Sequence, residues 1–276
     1  AALGALRGAA GAARRGCASS AGVHAPQAPS SAASLAQVFA ELQRLRPPCD
    51  AAQLAKLAST AVAHSEDLRP KELALLCFRL ESLQWHSRDV CKALEAHAAP
   101  TLVSELSTPE WLAVLRYFAG AGHHHPSFFA AAAAFAAEHS TKLQLHHLEA
   151  LAVSLAHFGQ LHRPLAEKLA NLLEPLPPAA DHRMLLRIAA AMAVAGLDRP
   201  RFFQQLLEPN VRLIRSQDDP VWCAHMLLLF AKAGTMNPAL VLKLVRGSDP
   251  QEVCAAVPPG AIPALVHYMQ RSAVDE

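Results

Sequence analysis

Apolar residues in this chain recur at helical spacing, and a longer period is laid over that spacing. Trp111, Leu148, Leu185 and Trp222 stand at successive intervals of 37 residues, and the positions three, four and seven later are largely apolar too. These are Val114, Leu115 and Phe118 in the first unit, Leu151, Ala152 and Leu155 in the second, and Ile188, Ala189 and Met192 in the third. Residues at i, i+3, i+4 and i+7 share one side of an α-helix, so the pattern predicts one buried helical face repeated in register. A fourth unit carries His225, Met226 and Leu229, where one position turns polar.

The breaks between helices repeat as well. Gly122, Gly159, Gly196 and Gly234 lie 37, 37 and 38 residues apart, and each is followed within four or five residues by Pro126, Pro164, Pro200 or Pro238. Glycine just past a helix end adopts the left-handed conformation cheaply, and proline is tolerated in the first turn of the next helix. Upstream, Leu73 to Leu83 and Arg88 to His97 read as another pair, with Gln84 where glycine would stand. Ser34 to Leu45 and Asp50 to His64 form the earliest pair, and Pro258 to Arg271 reads as a lone closing helix after Pro238 to Val245. Alternating β-branched runs are missing and aromatic residues are 5%, so strands are not expected. A hairpin of this length cannot bury its own apolar face, and stacked hairpins bury it between neighbours. The prediction is an all-α fold: a right-handed α-solenoid of about six helical hairpins plus a closing helix, over residues 34–276.

Residues 1–33 are different in kind. The first forty residues hold Arg7, Arg14, Arg15, fifteen alanines and five serines, and the first acid is Glu41. An arginine- and serine-bearing, acid-free and helically amphipathic segment reads as a mitochondrial transit peptide or else as an Ala-rich, disordered basic tail, and on the first reading a mitochondrial matrix location is expected. Without those forty residues, 22 Lys and Arg face 23 Asp and Glu, so the body is nearly neutral. Charge is uneven within it: residues 141–217 are net +3 and the segments on either side are each net −2. The longest uncharged apolar run, Phe128 to Ala137, is far short of the roughly 18 residues of a membrane span, so no membrane association is expected.

Candidate chemistry is sparse. No phosphate-cradling glycine loop, nucleophile elbow or H-E-x-x-H helix occurs, so the chain is expected to be neither an enzyme nor a binder of a cofactor or small-molecule substrate. His123, His124 and His125 are adjacent and cannot all converge on one metal ion, and they read as a solvated turn or a contact to backbone phosphate. Cys77 and Cys91 read as small apolar helix residues. Just before the turn prolines stand His125, Arg163, Arg199 and Asn237, with His162 and Arg201 beside them, a polar ridge of the kind phosphates favour. Arg183 and Arg187 are four apart on one helix face, and the positions matching Arg187 in neighbouring units are Ala113, Ala150 and Ala224.

The stretch Leu148-Glu149-Ala150-Leu151-Ala152-Val153-Ser154-Leu155-Ala156-His157-Phe158-Gly159, continuing through Arg163-Pro164-Leu165, resembles the "LANxLWALAKLGH-x-P" signature of the octotricopeptide repeats and their 37-residue heptatricopeptide relatives. Thr108-Pro109-Glu110-Trp111 is similar to the octotricopeptide "PPPEW" element. The resemblance covers about residues 34–272. It implies an organellar protein that binds RNA along the solenoid, as a factor in RNA maturation or as a subunit of a mitochondrial ribosome contacting ribosomal RNA and other mitochondrial ribosomal proteins. The nuclease-like RAP domain that ends many members is not expected after the array. On charge, the RNA contacts are expected at Arg163, Arg183, Arg187, Arg199 and Arg201, with His123, His124 and His125 on the adjoining turn. The alternative is a protein-binding scaffold in another mitochondrial complex, without nucleic acid, which near-neutrality favours.

Overall fold

The computed structural model of the chain describes residues 31–174, 181–211, 220–235 and 250–257, and every regular element among them is helical, with no strand. Thirteen α-helices are described: α1 (Ser31–Arg44), α2 (Ala51–Ala63), α3 (Pro70–Ser82), α4 (Arg88–Leu94), α5 (Leu102–Glu105), α6 (Thr108–Gly120), α7 (Pro126–His139), α8 (Leu145–His157), α9 (Arg163–Leu173), α10 (His182–Val194), α11 (Pro200–Val211), α12 (Pro220–Ala233) and α13 (Pro250–Ala256). The helix expected from Arg88 to His97 is shorter: α4 stops at Leu94, a single 3-10 turn covers Glu95–His97, and α5 starts only beyond Pro100. Pro100 biases Ala99 away from the helical region, which separates the 3-10 turn from α5. Tail residues 1–30, the pair member Pro238 to Val245 and the closing helix Pro258 to Arg271 lie outside the described residues.

Five of the first helices end in the same way. The amide of the residue that follows the turn donates to the carbonyl five residues back: Trp85 to Leu80 (3.0 Å), His123 to Phe118 (3.0 Å), Gln160 to Leu155 (2.8 Å), Leu197 to Met192 (3.0 Å) and Thr235 to Phe230 (3.4 Å). This is the Schellman cap, and it requires a left-handed residue just before the donor. That residue is Gly122, Gly159, Gly196 or Gly234, with φ between 62° and 80°, and in the earliest of the five turns it is Gln84 at φ 54°. The starts repeat as well. Glu72 accepts the Arg69 amide (2.9 Å), Glu110 accepts the Ser107 amide (2.8 Å), and His147 Nδ1 accepts the Gln144 amide (3.4 Å), each reaching back three residues to an otherwise unpaired backbone donor.

The first helices α3, α6, α8, α10, α12 and α13 pack side by side in one layer, while α2, α4, α5, α7 and α9 run along a second. The first-layer helices pack on one another more extensively than those of the second, and Ala113, Ala152, Ala189 and Ala224 are buried along them. One apolar core runs from Leu35 to Val253 between the layers. Trp111, Leu148, Leu185 and Trp222 are 0%, 5%, 2% and 5% exposed, so the four register positions are buried as the repeat predicts. Each such large side chain removed from water contributes about 2–3 kcal/mol.

Candidate nucleic-acid interface

The first layer carries three clefts that share walls. The first lies between α3, α6 and α8 and includes Phe78, Glu81, Arg116 and Ala150. Glu81, Arg116 and Ala150 also line the second, which extends to Val153, His157 and Arg187. The third takes up Val153, His157 and Arg187 and runs on to His225 and to Ala255, Ala256 and Val257 at the end of α13. Together they form one trough crossing successive repeats. Alanine and valine make the largest share of its walls, with the guanidiniums of Arg116 and Arg187, several imidazoles and the carboxylates of Glu81 and Glu149 at intervals.

Two ion pairs cross the trough floor. Arg116 of α6 donates to Glu81 of α3 (3.0 Å), and Arg187 of α10 donates to Glu149 of α8 (2.5 Å). Glu81 also pairs with His86 (2.6 Å), whose ring stacks on Tyr117 with centroids 5.8 Å apart. Arg187 stands where the flanking repeats have alanine because its side chain reaches Glu149 in the preceding unit.

The five arginines singled out in the sequence do not form one patch. Arg163 and Arg201 lie at the starts of α9 and α11 and Arg199 immediately before α11, on the edge where first helices end, whereas Arg183 opens α10 at the opposite edge. A 13-residue helix separates those edges by roughly 20 Å. Arg163 pairs with Glu167 (2.9 Å), and Arg199 bonds Asn171 (2.5 Å) and approaches Glu174 (3.9 Å). Lys168 donates to the Ala137 carbonyl at the end of α7. Arg183 and Arg201 are exposed, and the Arg183 amide is held by Asp181 (2.9 Å). Arg163, Arg187 and Arg199 therefore face carboxylates, so the +3 excess of residues 141–217 is not gathered at those three positions.

The three histidines depart further from a solvated turn. His123 is 7% exposed because it fills the apolar slot of its Schellman cap, edge-on to Phe118 at 5.5 Å. Burial holds its pKa below the ordinary 6.5, against the opposing pull of Glu95. His124 stacks on Phe158 of the next unit at 4.9 Å and contacts Gln160 at 3.5 Å. His125 caps α7: its Nδ1 accepts the Phe128 amide (3.2 Å) and its Nε2 donates to the Glu95 carbonyl (3.1 Å), which fixes the tautomer. The cluster ties three repeats together at one edge, and His123 offers no surface to a phosphate.

Cys77 and Cys91 are buried, and burial pushes the Cys91 thiol up to about 12 and the Cys77 thiol well above its usual range, which keeps both protonated. Among the described residues no group of three or more His, Cys, Asp or Glu side chains is placed to hold a metal ion, and no helix is long and apolar enough to cross a membrane.

Net charge in sequence windows pointed to only part of the trough, which runs from α3 to α13. The signal that could have found it is the repeat itself, since Phe78, Arg116 and Val153 share one outward position in successive first helices. Compared with known proteins, the chain matches no family model and no curated sequence, so a functional reading rests on the site's own geometry and on the motif resemblance.

Proposed function

We propose that the chain is a non-catalytic helical-repeat subunit that binds organellar RNA in the mitochondrial matrix, as a structural component of a mitochondrial ribosome that contacts ribosomal RNA and neighbouring proteins. The observation that carries this reading is the continuous trough along the first-layer helices. A groove that passes from repeat to repeat fits a polymer better than a compact metabolite, and its spaced Arg116, His157, Arg187 and His225 suit a backbone of regularly placed phosphates. The exposed Arg183 and Arg201 at the two edges would extend that contact. Near-neutral overall charge suits a subunit embedded in a larger particle, which needs local contacts rather than a basic surplus.

One observation favours the protein-scaffold reading instead: both guanidiniums inside the trough are already paired with carboxylates. Crosslinking in mitochondria, followed by sequencing of attached RNA and sedimentation of the particle, separates the two. Ribosomal RNA crosslinked to the protein, with co-sedimentation in a ribosomal subunit, is expected. Arg183→Glu combined with Arg201→Glu should weaken the crosslink and leaves the Arg187–Glu149 pair intact. Co-sedimentation with a particle free of RNA would replace this reading by the scaffold.

A further inference from the structure

Among the described residues Phe78 is the one phenyl or indole ring left exposed, at 52%, while Phe118, Phe128, Phe129, Phe202 and Phe203 are all at 0%. It occupies the outward repeat position taken by Arg116 in the next unit and Val153 in the one after. An exposed ring beside a cleft leaves apolar area in water that a bound partner can cover.

The cleft against which it stands has a volume of about 390 Å³, toward the small end of ligand pockets, with Phe78 and Glu81 on one side, Arg116 in the middle, and His146 and His147 opposite. The Arg79 guanidinium lies 6.0 Å from the Phe78 ring centroid, a cation set beside the π face. His146 is exposed, with its ring 4.1 Å from that of His147, and His147 is itself fixed by the Gln144 amide, so a second flat, nitrogen-bearing wall is held in place. Arg116 uses one amino group on Glu81 and keeps its side chain 53% exposed, leaving further N–H donors toward solvent. The Glu81 carboxylate can accept from an exocyclic amine through its remaining lone pairs. A flat ring to stack, a cation beside it and both donors and acceptors at the rim match a nucleobase with its phosphate. An aliphatic side chain would use only the phenyl ring.

We propose that this cleft binds one unpaired RNA base, stacked on Phe78, with Arg116 on the adjoining phosphate; this rests on the RNA reading above and adds where a base is held. A base inside a duplex has its faces covered by its neighbours, so the cleft selects single strands.

The test is fluorescence anisotropy of the full chain with labelled single-stranded oligouridylate and oligoadenylate and with a blunt RNA duplex. Phe78→Ala should weaken single-strand binding about 5- to 100-fold, with duplex binding and thermal unfolding unchanged. Phe78→Trp should restore binding, and Leu172→Ala, which removes an exposed apolar side chain on α9 of the second layer, should do nothing. Arg116→Gln should reduce the salt slope by about one unit, and Phe78→Ala should leave the slope unchanged. If Phe78→Ala binds like the wild type while Arg183→Glu with Arg201→Glu abolishes binding, the base cleft is wrong and the RNA reading stands. If the wild-type chain binds neither oligonucleotide, both fail. If Phe78→Ala releases a protein from mitochondrial particles while RNA binding persists, the cleft is a protein pocket and the proposal is overturned.

Discussion

The junction between α3 and α6 and the junction between α8 and α10 solve the same packing problem with different means. At α8–α10 the turn residue is Gly159, the helices meet over alanines, and a single ion pair, Glu149–Arg187, spans them. At α3–α6 the turn residue is Gln84, which takes the left-handed conformation without glycine's freedom, and the crossing is dense: Glu81 holds both Arg116 and His86, and His86 lies over Gly120. The repeat geometry therefore does not depend on glycine at every turn. Where glycine is missing, the Schellman hydrogen bonds and a side-chain tie across the junction impose the same backbone.

The comparison breaks most severely at Gly120. A Cβ there would stand 2.5 Å from His86 Nε2, so Gly120→Val must expel the ring from its bond to Glu81 and its stack on Tyr117. A loss of about 2 kcal/mol is expected by chemical denaturation, against less than about 0.5 kcal/mol for His157→Ala, the exposed counterpart in α8. Next comes Gly196→Val. Nothing lies within 4 Å of a Cβ there, so the whole cost is the strain of a β-branched residue at φ 80°, about 1 kcal/mol or more. An unfolding midpoint equal to that of the wild type would remove the strained turn as an explanation. Gln84→Gly should act in the opposite sense and stabilise by about 0.5 kcal/mol, since relief at φ 54° is partly offset by the greater freedom of glycine in the unfolded chain.

The smallest effect is pH-dependent and sits in the turn that Trp85 and His123 occupy equivalently. Burial holds the pKa of His123 below 6.5, so the native state resists a proton that the unfolded chain accepts. Stability should then be full above pH 6.5 and decline as pH falls through that value toward the lower folded one. His123→Leu, which keeps the slot apolar, should flatten that part of a melting-temperature profile. A variant profile with the same slope would place the pH dependence elsewhere, His147 being the next histidine whose pKa burial lowers.

Fold was legible because it is written in spacing. The interval between Trp111 and Leu148 sets the helix positions, and the interval between Gly122 and Gly159 sets the caps. Gln84 was assigned to a glycine position by register alone, and its positive φ agrees. The break after Leu94 was not legible, since neither glycine nor proline stands at that point, and the register that turns Phe78 outward does not show that the cleft beside it stays open. Site residues fared worse for a related reason. A count of charges over residues 141–217 cannot see that Arg163 faces Glu167 one turn along its own helix, or that Arg187 faces Glu149 in another repeat. Three adjacent histidines look polar in sequence, yet the cap geometry sends His123 inward and turns His125 into a helix cap.

The Glu81–Arg116 and Glu149–Arg187 pairs also bear on how the array deforms. Each joins side chains 35 or 38 residues apart on neighbouring helices, so each acts as a shear key: sliding one helix past the other by a single turn, about 5.4 Å, would part the charges, whereas opening or closing the arc would only tilt them. No such ion pair joins α6 to α8 among the described residues. Under load from a bound strand or a moving particle, two of the three first-layer interfaces between α3 and α10 resist slip, and shear collects at the unkeyed one. That interface forms the floor of the cleft between Phe78 and His146, so a lengthwise pull on the protein would change the width of the cleft before it disturbed the core.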